Sequence, residues 1–133
     1  MIFLDTSAIL ALANRTDKYY EVARKALEHI RSSGDTLLTH NYTIVESAAL
    51  MQKRFGKAAA SKFLREAGKF TLRWVSPEQH EEAVREFESR GSAKVSFVDV
   101  VSFIVMRAEG ISGYLGFDEH FTAAGFEPVR GGE

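Results

Sequence analysis

The sequence predicts an α/β fold in three layers, a central parallel sheet flanked by helices. Three observations carry this. Short runs rich in β-formers alternate with helical runs along the whole chain. Two apolar runs, Ile2-Phe3-Leu4 and Tyr114-Leu115-Gly116-Phe117, stop at Asp5 and Asp118, and each aspartate leads at once into helical sequence. Val95 to Met106 is apolar nearly all round, as a helix buried against a sheet is. The 133 residues are expected to form one domain, residues 1–133, without repeats, linkers or low-complexity segments.

The elements follow in order. Ile2 to Leu4 reads as a buried strand, and Thr6 to Ala13 continues without Gly or Pro as a helix. Asn14 to Lys18 is a polar break. Tyr19 to Ser33 is an amphipathic helix with Val22, Ala23, Ala26, Leu27 and Ile30 on one face, closed by Gly34. Thr36 to Thr39 is a short strand. His40-Asn41 opens a helix running to about Phe55, and Gly56 separates it from another, Lys57 to about Phe70. Thr71 to Val75 is rich in β-formers and reads as a strand. Ser76-Pro77 starts a helix, with Ser as cap and Pro at the first helical position, that ends near Gly91. Ser92-Ala93-Lys94 is a loop. Val95 to Glu109 is the most hydrophobic helix, with Ser96 as an alternative cap, and Gly113 to Phe117 is a strand. A turn of helix to Ala124 and a last strand, Phe126 to Val129, close the fold, leaving Arg130 to Glu133 as a loose tail.

Composition narrows the function classes. Hydrophobic residues make up 45% and aromatics 11%, so the chain can build a core. A net charge of −1 favours neither a nucleic-acid nor a membrane partner by itself. Without cysteine there is no disulfide and no thiolate metal site, and a reducing compartment is allowed. The N-terminus lacks a basic region before its apolar run, so no signal peptide is read and the expected location is the cytoplasm. The longest apolar run is too short to span a bilayer, and Asp99 interrupts it.

Four carboxylates stand in apolar sequence. Asp5 and Asp118 end strands. Glu46 is the only charge between His40 and Lys53, and Asp99 the only one between Lys94 and Arg107. Each also has a structural role open to it: Asp5 and Asp118 as helix caps, Glu46 on the wet side of a half-buried helix, Asp99 in a capping box with Ser96. In a parallel sheet, however, the carboxyl ends of strands and the starts of the following helices share one edge, where ligands gather. All four acids can therefore converge. Four carboxylates crowded together cannot all stay ionised unaided, and Mg2+ or Mn2+ relieves the conflict with the oxygen ligands those ions prefer. Such a site suits phosphate chemistry. Thr6 and Ser7 are placed to hold a carboxylate or a water on the metal.

The chain resembles PIN-domain proteins, and among them the VapC-type toxin ribonucleases. The motifs are Phe3-Leu4-Asp5-Thr6-Ser7-Ala8, Thr43-Ile44-Val45-Glu46, Ser96-Phe97-Val98-Asp99 and Gly116-Phe117-Asp118-Glu119-His120-Phe121, in order and at matching spacing over essentially the whole chain. The resemblance implies a PIN-like three-layer α/β/α fold and Mg2+- or Mn2+-dependent cleavage of single-stranded RNA. It also implies a homodimer, and a cognate antitoxin protein that blocks the site. It assigns the acidic site to Asp5, Glu46, Asp99 and Asp118, with Thr6, Ser7 and Ser96 in support. One departure stands in the fourth motif: many members carry Thr two residues before the last aspartate, where this chain has Gly116.

Further features bear on substrate and assembly. From Met51 to Arg73 seven basic side chains (Lys53, Arg54, Lys57, Lys62, Arg65, Lys69, Arg73) face the single acid Glu66. This stretch either steers an RNA backbone or is a solvated face balanced by the acids from Glu78 to Glu88. His40, His80 and His120 lack zinc-site spacing, and no chemistry is assigned to His120. Apolar surplus between Tyr42 and Phe70 predicts self-association. The alternative function is a PIN-like module that binds RNA or protein without cutting. An aspartyl phosphatase built on Asp5 would want an acid two residues on, where Ser7 stands.

Overall fold

A computed structural model describes residues 1–91 and 93–131. Five parallel strands form one sheet, β1 (Ile2–Leu4), β2 (Leu37–His40), β3 (Thr71–Arg73), β4 (Gly113–Leu115) and β5 (Glu127–Pro128), in the order β3-β2-β1-β4-β5. The helices are α1 (Thr6–Leu12), α2 (Tyr20–Ser32), α3 (Asn41–Phe55), α4 (Lys57–Glu66), α5 (Pro77–Ser89), α6 (Phe97–Glu109) and α7 (Glu119–Ala123). The expected α/β/α layering is present. Neighbouring residues of a strand point to opposite faces, and the core splits accordingly. Phe3, Leu38 and Tyr114 pack under α5, α6 and α7 with Val100, Phe103, Met106 and Phe121. Leu4 and Leu115 pack with Ala8, Ile9, Ala26, Ile30, Met51 and Ala60 of α1 to α4 on the other face.

The helix starts are set by side-chain caps. Asp5, His40, Ser76, Ser96 and Asp118 each accept a backbone N–H of the helix they precede, and Ser76 and Ser96 complete capping boxes with Gln79 and Asp99. Because β1, β2, β3 and β4 are parallel, four of these caps follow their carboxyl ends, which places Asp5 and Asp118 on one edge. His40 is wholly buried. Its Nδ1 accepts from Thr43 N (3.2 Å), so its Nε2–H faces Ser102 Oγ (2.8 Å), and burial pushes its pKa down to about 3.

Several expected boundaries shift, each for a local reason. The helix from Lys57 ends at Glu66, because Ala67-Gly68-Lys69 tightens into a 3-10 turn. The strand from Thr71 stops at Arg73, since Val75 N donates to Asn41 Oδ1 (2.7 Å) instead of the ladder, and Trp74 is left 75% exposed. The strand from Gly113 stops at Leu115, because Phe117 N donates to Ser7 Oγ (2.9 Å). The C-terminal tail is not loose as far as Gly131. Val129 N donates to Tyr114 O (2.8 Å), and a Cβ on Gly131 would lie 2.7 Å from Lys25 Cβ, so only glycine fits. Gly132, Glu133 and, in the expected loop, Ser92 lie outside the described residues.

Candidate active site at the carboxyl edge of the sheet

Asp5 sits at the end of the central strand with the start of α1 wrapped around it. Its Oδ2 accepts from Ser7 Oγ (2.7 Å) and Ser7 N (3.3 Å). The same Ser7 Oγ accepts from Phe117 N, so one hydroxyl ties the end of β1 to the chain leaving β4. The carboxyl is buried, and its pKa rises from 3.8 to about 6. Loss of hydration is the main cause, Ser7 opposes it, and the charge of Asp99 adds to it. Gly116 closes the pocket from behind: a Cβ there would lie 2.9 Å from Asp5 Cβ and 3.2 Å from Asp5 Oδ2. A side chain at position 116, where the resembled pattern carries Thr, would crowd Asp5.

Asp99 and Asp118 meet at His120. The ring Nδ1 lies 3.1 Å from Asp99 Oδ2 and 2.9 Å from Asp118 Oδ1, and one atom of each of the three residues falls within 4.8 Å of the others. Asp99 keeps its capping box, accepting from Ser96 N (3.2 Å) while Ser96 Oγ accepts from Asp99 N (3.1 Å). The capping box and the contact with His120 therefore coexist in one carboxylate. Burial raises the Asp99 pKa, repulsion from Asp118 adds to the rise, and the His120 hydrogen bond opposes it. Asp118 caps α7 through His120 N (2.9 Å).

Glu46 lies half-buried in the second turn of α3, and among the described residues it is hydrogen-bonded to none of the other acids. Next to Asp5 and Glu46, the buried hydroxyls Thr6 Oγ1 and Ser47 Oγ have no hydrogen-bond partner among the described residues. A buried hydroxyl without a partner is costly. The carboxylate oxygens of the set suit a hard divalent cation, which would also supply the counter-charge that the buried Asp5 carboxyl lacks. His120 and Ser47 went unassigned in the sequence. The signal for His120 was its place two residues after Asp118, where an N-cap bond folds the chain back on itself; nothing in the sequence marked Ser47.

The start of the basic stretch stands apart from this edge, whereas Arg73 ends β3. Lys53 and Arg54 are in the last turn of α3, about 18 Å along the helix from its start. Lys62 pairs with Glu66 and Arg73 with Glu109, whereas Glu86 pairs with Arg90 and Arg107. Of the acids from Glu78 to Glu88, none pairs with the stretch among the described residues. No helix among the described residues is long and apolar enough to cross a membrane.

The family model for the PIN domain matches residues 2–127. The chain is 33% identical over 132 residues to the 23S rRNA-specific endonuclease VapC20 of Mycobacterium tuberculosis, covering 98% of each chain. The crystal structure of that protein, described as a sarcin-ricin loop cleaving toxin, superposes with a TM-score of 0.86 at 32% identity, covering 98% of this chain and 99% of that one. VapBC2 from Rickettsia felis, solved bound to a DNA fragment from its promoter, shares the fold at a TM-score of 0.70 and 15% identity, over 96% of this chain and 97% of that one.

Proposed function

The chain belongs to the PIN-domain family, and from that premise we propose that it is a Mg2+- or Mn2+-dependent endoribonuclease cutting single-stranded RNA, the toxin of a toxin–antitoxin pair. The observation that supports this best is the meeting of Asp99, Asp118 and His120 close enough to Asp5 for its pKa to feel Asp99. Asp5, Glu46, Asp99 and Asp118 would hold the metal. Bound there, a divalent ion would neutralise phosphate oxygens, lower the pKa of the attacking water and stabilise the leaving oxygen. The chain's own groups prepare the place. Ser7 fixes the orientation of Asp5, Ser96 fixes Asp99, and His120 spans Asp99 and Asp118, limiting their mutual repulsion. Thr6 Oγ1, buried next to Asp5 in sequence and without a hydrogen-bond partner among the described residues, would take a water or a carboxylate.

The similarity to VapC20 makes the sarcin-ricin loop of 23S rRNA the first substrate to test. Purified protein with Mg2+ or Mn2+ should give a discrete cut in 23S rRNA that chelator abolishes. No metal-dependent cleavage of that RNA, or of several unrelated single strands, would favour the alternative, a PIN-like module that binds RNA or protein without cutting. Cellular RNA as substrate fits a cytoplasmic protein.

Assembly belongs to the same proposal. Val45, Phe55 and Leu64 on the paired helices α3 and α4 are 67%, 42% and 50% exposed, and these apolar side chains are where a homodimer would form. A cognate antitoxin is the second partner. Sedimentation giving a monomer at high concentration would remove the dimer.

A further inference from the structure

An acidic pocket repels the polyanion it is proposed to cut, so phosphate has to be attracted close by. One anchored cation beside the site is Arg130, in the tail. Its Nη2 donates to Gly116 O (3.0 Å) and its Nη1 to Val129 O (3.0 Å). The guanidinium lies over the Phe117 ring, 4.8 Å from its centroid, and Phe117 stacks on Tyr19 at 4.4 Å and 6°. Gly116 is the residue backed against Asp5, and Phe117 precedes Asp118. The fit of Gly131 against Lys25 fixes the tail just beyond. The guanidinium is therefore held at the rim of the acid pocket by two hydrogen bonds, a stacked aromatic pair and the docked chain around it.

Only two of its five N–H groups face backbone oxygens. The side chain is exposed, and among the described residues no carboxylate pairs with it. A planar cation stacked on an aromatic ring is pre-organised for a phosphate, because little side-chain freedom remains to be lost on binding. We propose that Arg130 binds a backbone phosphate of the RNA strand beside the one that is cut, holding that strand across the acid pocket. This rests on the ribonuclease reading and names the contact that offsets the pocket's repulsion. A purely structural Arg130 would only fasten the tail to the end of β4.

The test is equilibrium binding of a short, mixed-sequence 2′-O-methyl oligonucleotide at fixed Mg2+, followed by anisotropy over a range of salt. Arg130→Gln keeps a polar amide but carries no charge. It should weaken binding roughly tenfold and reduce the slope of log affinity against log salt by about 0.7, the value for one phosphate on a single strand. Arg130→Lys should restore the slope, and both variants should keep the wild-type Tm. A wild-type slope in Arg130→Gln overturns the proposal, as does weakened binding accompanied by a lowered Tm with the slope unchanged. The two readings fail separately. Wild type that cuts RNA with the slope unmoved in Arg130→Gln removes the phosphate contact alone. A slope that moves in a protein that cuts no RNA upholds the contact and removes the nuclease.

Discussion

Replacing Asp5 with Asn should stabilise the metal-free protein at neutral pH. The Asp5 carboxyl titrates near 3.8 when exposed and at about 6 in the fold, mainly because it is buried. Below pH 3.8 it is protonated in both states and contributes no pH-dependent difference. Between 3.8 and 6 the unfolded chain ionises while the folded chain resists, so stability falls as pH rises. Above 6 the penalty is constant. A separation of about two pH units corresponds to about 3 kcal/mol. Asn keeps an oxygen for Ser7 N and Ser7 Oγ, so the cap of α1 survives. The expected gain is roughly 1–3 kcal/mol at pH 7, a rise in Tm of about 5–10 °C. The assay is thermal unfolding of both proteins in chelator at several pH values from 4 to 7. Mg2+ or Mn2+ should reverse the order: at a hundredfold excess over its Kd an ion adds about 2.7 kcal/mol to wild type and far less to Asp5→Asn. A variant less stable than wild type at pH 7 in chelator, or a difference that ignores pH, would refute the reasoning and leave Asp5 as a helix cap only.

Two other perturbations follow from the same geometry. Gly116→Ala drives a methyl against Asp5 Cβ at 2.9 Å, and should cost about 1–3 kcal/mol of stability and tenfold to a hundredfold of order in cleavage; unchanged melting and unchanged activity would show that the pocket yields freely. His40 titrates near 6.5 when exposed and at about 3 in the fold, so its contribution is complete above pH 6.5 and is lost as pH falls toward 3. The Tm advantage of wild type over His40→Gln should therefore shrink on acidification, and an advantage constant from pH 7 to pH 4 would contradict the buried neutral ring.

Much of this was legible because local chemistry and tertiary position agreed. Ile2-Phe3-Leu4 followed by Asp5-Thr6-Ser7 marks a strand, a cap and a helix in six residues, and Ser76-Pro77 and Ser96 mark helix starts as plainly. Parallel strands then put the caps that follow them, Asp5 and Ser76, on one edge with no further information. What stayed hidden depends on contacts far apart in sequence. Phe117 leaves its strand for a hydroxyl 110 positions away, and Arg130 is held by Gly116 and Phe117 instead of by its neighbours. His120 looks like any surface histidine until the turn of α7 brings it between Asp99 and Asp118. Glu46 was legible as an odd charge in apolar sequence, but its part in the site rests on the family motif, since among the described residues it hydrogen-bonds none of the other acids.

Asp99→Asn tests most directly whether these acids hold a metal that cuts RNA. Asn keeps the size and much of the hydrogen bonding at Ser96, while the charge that would hold the ion is gone. Cleavage of single-stranded RNA with Mg2+ or Mn2+ should be lost, and the Tm in chelator should be equal to wild type or higher, since removing a buried charge relieves its desolvation. Equal cleavage by wild type and Asp99→Asn would contradict the account.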